Sequence, residues 1–161
     1  MKRILACLAA MTLAASASAA QAETSSGSIS DILAQVASRT QQIFHTFGLK
    51  ATLYHGGIRG IGNRDSLGCP VVAMRTAAVD GVAVPRHSVL FIKETVGLKM
   101  PNGRIHDGYW YASDTGGAIH RGRIDLFTGM GARSMQPLMA LNLATLTVAK
   151  VGQFAGCPPA S

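Results

Sequence analysis

Residues 109–129 read YWYASDTGGAIHRGRIDLFTG, and the fold depends on how this stretch divides. Tyr109-Trp110-Tyr111-Ala112-Ser113 is aromatic and uncharged, which suits an extended strand. Asp114-Thr115-Gly116-Gly117 interrupts it. Two adjacent glycines open backbone angles that other residues avoid, so a tight turn is expected. Arg123-Ile124-Asp125-Leu126-Phe127 predicts a second short strand. Two carboxylates, Asp114 and Asp125, therefore stand eleven residues apart across a Gly-rich turn. With Ile124, Leu126 and Phe127 as neighbours, Asp125 is poorly solvated if it faces a cleft. Poor solvation raises a carboxyl pKa and makes a general acid. The plainer reading is a pair of turn aspartates whose side chains bond backbone N–H groups.

The flanking sequence extends the strand pattern. Segments 71–78 and 88–94 read as strands, and 95–98 as an extension of the second. Val89-Leu90-Phe91-Ile92 is apolar throughout, as in a strand covered on both faces. Asp80-Gly81, Pro85 and Pro101-Asn102-Gly103 are turn signals. Segment 132–141 predicts a short helix limited by Pro137, and 144–151 a last strand. About six short strands separated by turns point to a mainly β chain and a small barrel. Segment 49–68 is Gly-rich around Tyr54, His55, Arg59 and Arg64 and is expected to be a long surface loop bordering the cleft. It lacks the order of a phosphate-binding loop.

Toward the N-terminus, Ser30 is expected to cap a helix with Asp31 in its first turn. Ile32, Leu33, Val36, Ile43, Phe44 and Phe47 form its apolar stripe, Gly48 ends it, and the stripe is expected to pack on the domain. Residues 1–22 read as a secretory signal: Lys2 and Arg3, an apolar middle, then Ala20-Gln21-Ala22. The apolar run is too short for a stable membrane anchor. The expected division is 1–22 signal, 23–48 linker and N-terminal helix, and 49–161 barrel domain.

Loss of Lys2 and Arg3 takes the net charge from +7 to +5. A basic exported chain suits an anionic partner such as cell wall. The basic residues are scattered and no nucleic-acid motif is present, so nucleic acid is not an expected partner. After cleavage two cysteines remain, Cys69 and Cys157, and export makes a disulfide between them the default. None of the five histidines falls at metal-ligand spacing, although His106-Asp107 and His120 flank the central stretch. No metal or other cofactor is expected.

The stretch Asp114-Thr115-Gly116-Gly117-Ala118-Ile119, followed by Gly122-x-Ile124-Asp125-Leu126-Phe127, resembles the 3D (three-aspartate) domain. That domain occurs in bacterial peptidoglycan-cleaving proteins of the MltA and Sps/YuiC type. Ala78-Val79-Asp80, running on to Pro85, is similar to the family's earlier element. The likeness covers about residues 74–129. It departs at Pro85-Arg86-His87-Ser88, where members often have Pro-x-Gly-Thr, and in a longer segment 95–107.

The resemblance implies a six-stranded double-psi β-barrel. It also implies an exported lytic transglycosylase, periplasmic or extracellular, that cuts the MurNAc–GlcNAc bond of peptidoglycan with a 1,6-anhydro product. Asp114, Asp125 and Asp80 would be the three aspartates. Asp125 is the expected acid, with exchange of the Asp114 and Asp125 roles as the alternative. Asp114 would raise its pKa or stabilise positive charge on the sugar, and Asp80 would orient the pair or touch substrate. Tyr109 and Tyr111 alternate with Trp110, so they share one face and are the expected sugar-stacking residues, while Trp110 belongs to the core. Thr115, Gly116, Gly117, His120 and Arg123 complete the expected substrate contacts. Two alternatives stand beside this reading: a non-catalytic wall-binding module, and a hydrolase of another β-1,4 glycan.

Overall fold

Alternating apolar residues make strands, and here six of them close on themselves. The computed structural model describes residues 28–43, 45–58 and 62–159. The expected signal at 1–22 and the linker up to residue 27 lie outside the described residues. After helix α1 (Ile29–Ile43) come β1 (His45–Gly56), β2 (Thr76–Val79), β3 (Ser88–Ile92), β4 (Tyr109–Thr115), β5 (Arg123–Met130) and β6 (Thr145–Gln153). They form a closed barrel in the order β1-β5-β2-β4-β3-β6. β1 and β5 pair parallel, as do β2 and β4, and the other four pairings are antiparallel.

The barrel interior is a continuous apolar cluster that includes Leu90, Ile92, Trp110, Ile124, Leu126, Leu146 and Val148. Trp110 is wholly buried, and its indole N–H donates to the Thr95 hydroxyl at 3.0 Å. His106 stacks on it with ring centroids 5.1 Å apart. His106 Nδ1 accepts from the Gly108 N–H, so Nε2 carries the proton and donates to the Met74 carbonyl at 2.7 Å. Burial lowers the His106 pKa and keeps the ring neutral. His106 is therefore a core residue, and Asp107 is the ion-pair partner of Arg75. Neither belongs to a cleft.

Four sequence expectations change. First, β1 takes in the opening part of the expected 49–68 loop, as far as Gly56. Phe47, Leu49, Ala51 and Leu53 alternate at period two and pack inward, so Gly48 lies within the strand opposite Thr147. Second, helix α1 is capped by Ser28 and begins at Ile29, ahead of the expected cap Ser30. The Ser28 N–H donates to Asp31 Oδ2 at 3.1 Å, with the Asp31 N–H returning to Ser28, a reciprocal cap. Its residues Ile29, Ile32, Leu33 and Val36 are 78, 55, 62 and 55% exposed, so this face does not pack on the domain.

Third, β2 is Thr76–Val79, so the expected 71–78 strand begins only at Thr76 and runs one residue further. The residues before it turn, with the Arg75 and Thr76 N–H groups bonded back to the Val72 carbonyl. Fourth, β3 alternates buried and half-buried residues, and gives way at Lys93–Thr95 to a 3-10 turn. The helix expected at 132–141 is present as a 3-10 helix, Ala132–Leu141, with Pro137 inside it.

Candidate active site

Strand register assembles the site. On the outer face of the barrel, Thr52 of β1 pairs with Asp125 of β5, Asp125 pairs with Ala78 of β2, and Ala78 pairs with Asp114 of β4. These four residues form one row across four adjacent strands. Two strand spacings separate the aspartate backbones, roughly 10 Å. The small side chain of Ala78 leaves the space between them open.

A β-bulge brings Asp114 into this row. Ala77 pairs with Ala112 but Ala78 pairs with Asp114, so Ser113 is the extra residue. Side chains alternate faces along a strand. Without the extra residue Asp114 would face the core side, and the bulge re-aims it. Buried Ser113 is left with its hydroxyl unpartnered.

The expected turn chemistry differs from the observed one. Neither Gly116 nor Gly117 adopts positive φ; Arg121 (φ 45°) and Gly122 (φ 75°) do. A Cβ on Gly116 would lie 3.0 Å from the Ile119 side chain, which would have to shift to admit it, whereas a Cβ on Gly117 would meet nothing within 4 Å.

A cavity of about 320 Å³ opens over the row, lined by Tyr54, Gly62, Arg64, Val71, Ala78, Asp114, Thr115, Gly116 and Asp125. The two carboxylates in it have opposite surroundings. Asp114 is fully satisfied as an acceptor: Oδ2 receives the Tyr54 hydroxyl at 2.9 Å, and Oδ1 receives the N–H groups of Ser66 (3.0 Å) and Thr115 (2.8 Å). Asp125 has a buried Oδ1 with no hydrogen-bond partner. Burial raises the Asp125 pKa, and the charge of Asp114 adds to this. The Thr52 hydroxyl and the Leu126 N–H oppose the shift only in part. Tyr54 is held protonated by its burial and by the negative charge of Asp114, so it stays a donor. A carboxyl biased toward its protonated form thus stands beside one built to accept hydrogen bonds. Pairs of this kind carry acid–base chemistry.

Of the expected site residues, Asp114, Asp125, Thr115 and Gly116 come together here. Asp80 does not. It lies in the turn after β2, where Oδ1 accepts the N–H groups of Val82 and Ala83, and with His120 it borders a separate surface pocket. Tyr109 packs on Phe91 and Tyr111 on Phe154, both outside the cavity. Gly117 and Arg123 also lie outside it.

The aromatic residue in the cavity is Tyr54, which sits on the strand read as loop. The alternation at Phe47, Leu49, Ala51 and Leu53 was the signal that would have placed it. Ser66, the other donor to Asp114, carries no local signature. Its segment is held by Asp65 Oδ1, which accepts the N–H groups of Leu67 and Cys69, and by the Cys69–Cys157 disulfide.

Tyr54→Phe removes one of the three donors to Asp114 and leaves the ring packed against Phe127. Turnover should fall about tenfold, equivalent to ~1.4 kcal/mol of transition-state stabilisation, with KM nearly unchanged. Steady-state kinetics of the variant check this. Wild-type turnover would remove Tyr54 from the site.

Residues 75–137 match the 3D domain family. Among solved structures, MltA from Escherichia coli, with a lytic transglycosylase fold, is 22% identical over 59% of this chain and 28% of its own, with a TM-score of 0.39. LtgG, a lytic transglycosylase of Burkholderia pseudomallei, is 24% identical over 55% of this chain and 25% of its own, with a TM-score of 0.38. A membrane-bound lytic murein transglycosylase from Agrobacterium tumefaciens is 27% identical over 53% and 25%, with a TM-score of 0.39. The chain thus spans about a quarter of the length of these proteins. No curated protein matches the chain.

Proposed function

From a chain that carries a 3D domain match over residues 75–137, we propose an exported peptidoglycan lytic transglycosylase whose acid is Asp125. The observation that carries this reading is the buried, unpartnered Oδ1 of Asp125, in a cavity shared with a fully hydrogen-bonded Asp114.

The chemistry follows from one carboxyl group acting twice. Protonated Asp125 gives its proton to the oxygen bridging N-acetylmuramic acid and N-acetylglucosamine, and the bond from that oxygen to the muramyl C1 breaks. Positive charge develops on the sugar ring, and the Asp114 carboxylate faces it. The muramyl C6 hydroxyl attacks C1 and returns its proton to Asp125, closing a 1,6-anhydro ring. No water is consumed, so a dry, half-buried acid suits the reaction. Asp80 is placed to shape its turn and has no part in these steps.

The disulfide fits an oxidising compartment and so supports export. Among the described residues no helix is long and apolar enough to cross a membrane.

Incubation with purified peptidoglycan, followed by mass spectrometry, tests the reading. Soluble muropeptides about 18 Da lighter than the hydrolytic products are expected, because hydrolysis adds one water and ring closure adds none. Products with water added would mean a hydrolase using both carboxylates. Binding to sacculi without any soluble product would mean a wall-binding module.

A further inference from the structure

A second cavity, about 800 Å³, lies beside the aspartate site and has a different character. Its apolar lining includes Val71, Met100, Phe127 and Met130. Two exposed cations, Lys99 and Arg133, stand at its edge, and no acidic residue lines it. Among the described residues neither cation has an ion-pair partner. Val71 lines both cavities, and Phe127 is two residues beyond Asp125 on β5, so the groove begins next to the acid.

We propose that this groove binds the acidic stem peptide of peptidoglycan, with Lys99 and Arg133 taking its carboxylates and the apolar lining its alanine methyl groups. The inference rests on the proposed substrate. Its warrant is charge and shape. The stem hangs from C3 of the muramyl ring whose C1 is the reaction centre, so it must leave the aspartate site through a neighbouring surface. A stem peptide carries several carboxylates and small apolar side chains, complementary to two unpaired cations over an apolar floor. A neutral glycan would use the apolar surface but leave the cations idle. Exposed cations contribute mainly by screened Coulomb attraction, so the peptide affinity is salt-dependent.

The test uses the tetrapeptide L-Ala-γ-D-Glu-diaminopimelate-D-Ala, titrated into the isotope-labelled protein and followed through its backbone amide resonances. Saturable shifts at Lys99, Met100, Met130 and Arg133 are expected, with binding at least tenfold weaker in the Lys99→Glu/Arg133→Glu double variant. Both residues are exposed, so the variant should fold, and an unchanged spectrum elsewhere verifies this. Lys99→Gln/Arg133→Gln, without charge reversal, should give a smaller loss in the same direction.

In the kinetic arm, peptide-bearing strands should have a KM about tenfold below that of strands stripped of peptide. The double variant should close that gap while cleaving stripped strands as the wild type does. Anhydro product without peptide shifts would overturn the groove assignment and leave the lyase reading intact. Peptide shifts without any product would sustain the groove and remove the lyase. Equal affinity of the double variant and the wild type for the tetrapeptide would also overturn the assignment.

Discussion

Asp125→Asn should abolish product formation and at the same time make the folded protein more stable at neutral pH. The activity loss follows from the role assigned to the carboxyl. An amide cannot give a proton to the glycosidic oxygen or take one back, and loss of a general acid costs on the order of 10²–10⁴-fold or more. The stability gain follows from linkage. Burial and the charge of Asp114 raise the Asp125 pKa above its unfolded value, so the fold penalises the charged form. Wild-type stability from this group is full below the unfolded pKa, about 3.9, and is lost as pH rises through the folded value.

At pH 7 the penalty acts on the wild type and is absent in the variant. The melting temperature of Asp125→Asn should therefore exceed the wild type's at pH 7, and the difference should shrink as pH falls below 4. Thermal unfolding of both proteins across this range checks the sign. A variant less stable at pH 7 would mean that the charged carboxylate is a structural asset and not a strained acid. The same shift places the descending limb of the wild-type pH–rate profile above the ordinary carboxylate range. Such a limb is expected when the protonated form is the active one.

The second large effect is expected from the disulfide. Cys69 and Cys157 are joined across 88 positions, with Cα atoms 5.5 Å apart. Replacing both with serine releases that loop in the unfolded chain, a loss of about 4 kcal/mol on chain-entropy grounds. For a domain of this size the melting temperature should drop by roughly 10–20 °C.

Activity should fall further than stability alone explains. Cys69 ends the segment in which Asp65 holds Leu67 and Cys69, and Ser66 within it donates to Asp114 Oδ1 and to the Ser113 carbonyl. Loosening this segment removes a donor from Asp114 and the Ser66 hydroxyl's bond to the Ser113 carbonyl at the bulge. Assays at a temperature where the variant remains folded separate the two contributions. Wild-type turnover in folded Cys69→Ser/Cys157→Ser would show that the segment holds Asp114 without the bridge.

The expected residues that failed to join the site did so for identifiable reasons. Asp80 has the same side chain as Asp114, but its oxygen is used by the N–H groups of its own turn. Tyr109 and Tyr111 were placed correctly relative to Trp110, since period-two alternation is local. Where their outward face leads is not local. It leads to Phe91 and Phe154, away from the cavity. His106 flanks the central stretch in sequence, yet its ring is core, fixed by the Met74 carbonyl and the Gly108 N–H.

The chain's own residues determined most of the strand-forming stretches, the mainly β character, the cysteine pair and the motif that carries Asp114 and Asp125. These follow from alternation, turn chemistry, cysteine count and a specific motif, all of which act over a few neighbouring residues. Three things came only with the tertiary structure. The bulge at Ser113 turned Asp114 toward Asp125, because strand register depends on the partner strand. Closure of the barrel set Thr52, Asp125, Ala78 and Asp114 in one row, bringing together Thr52 and Asp125 from strands far apart in the chain. Packing then gave the two aspartates different environments, leaving one oxygen of Asp125 dry while Asp114 gathered three donors. A carboxyl group's protonation is set by the atoms around it in space, and the order of residues along the chain does not specify them.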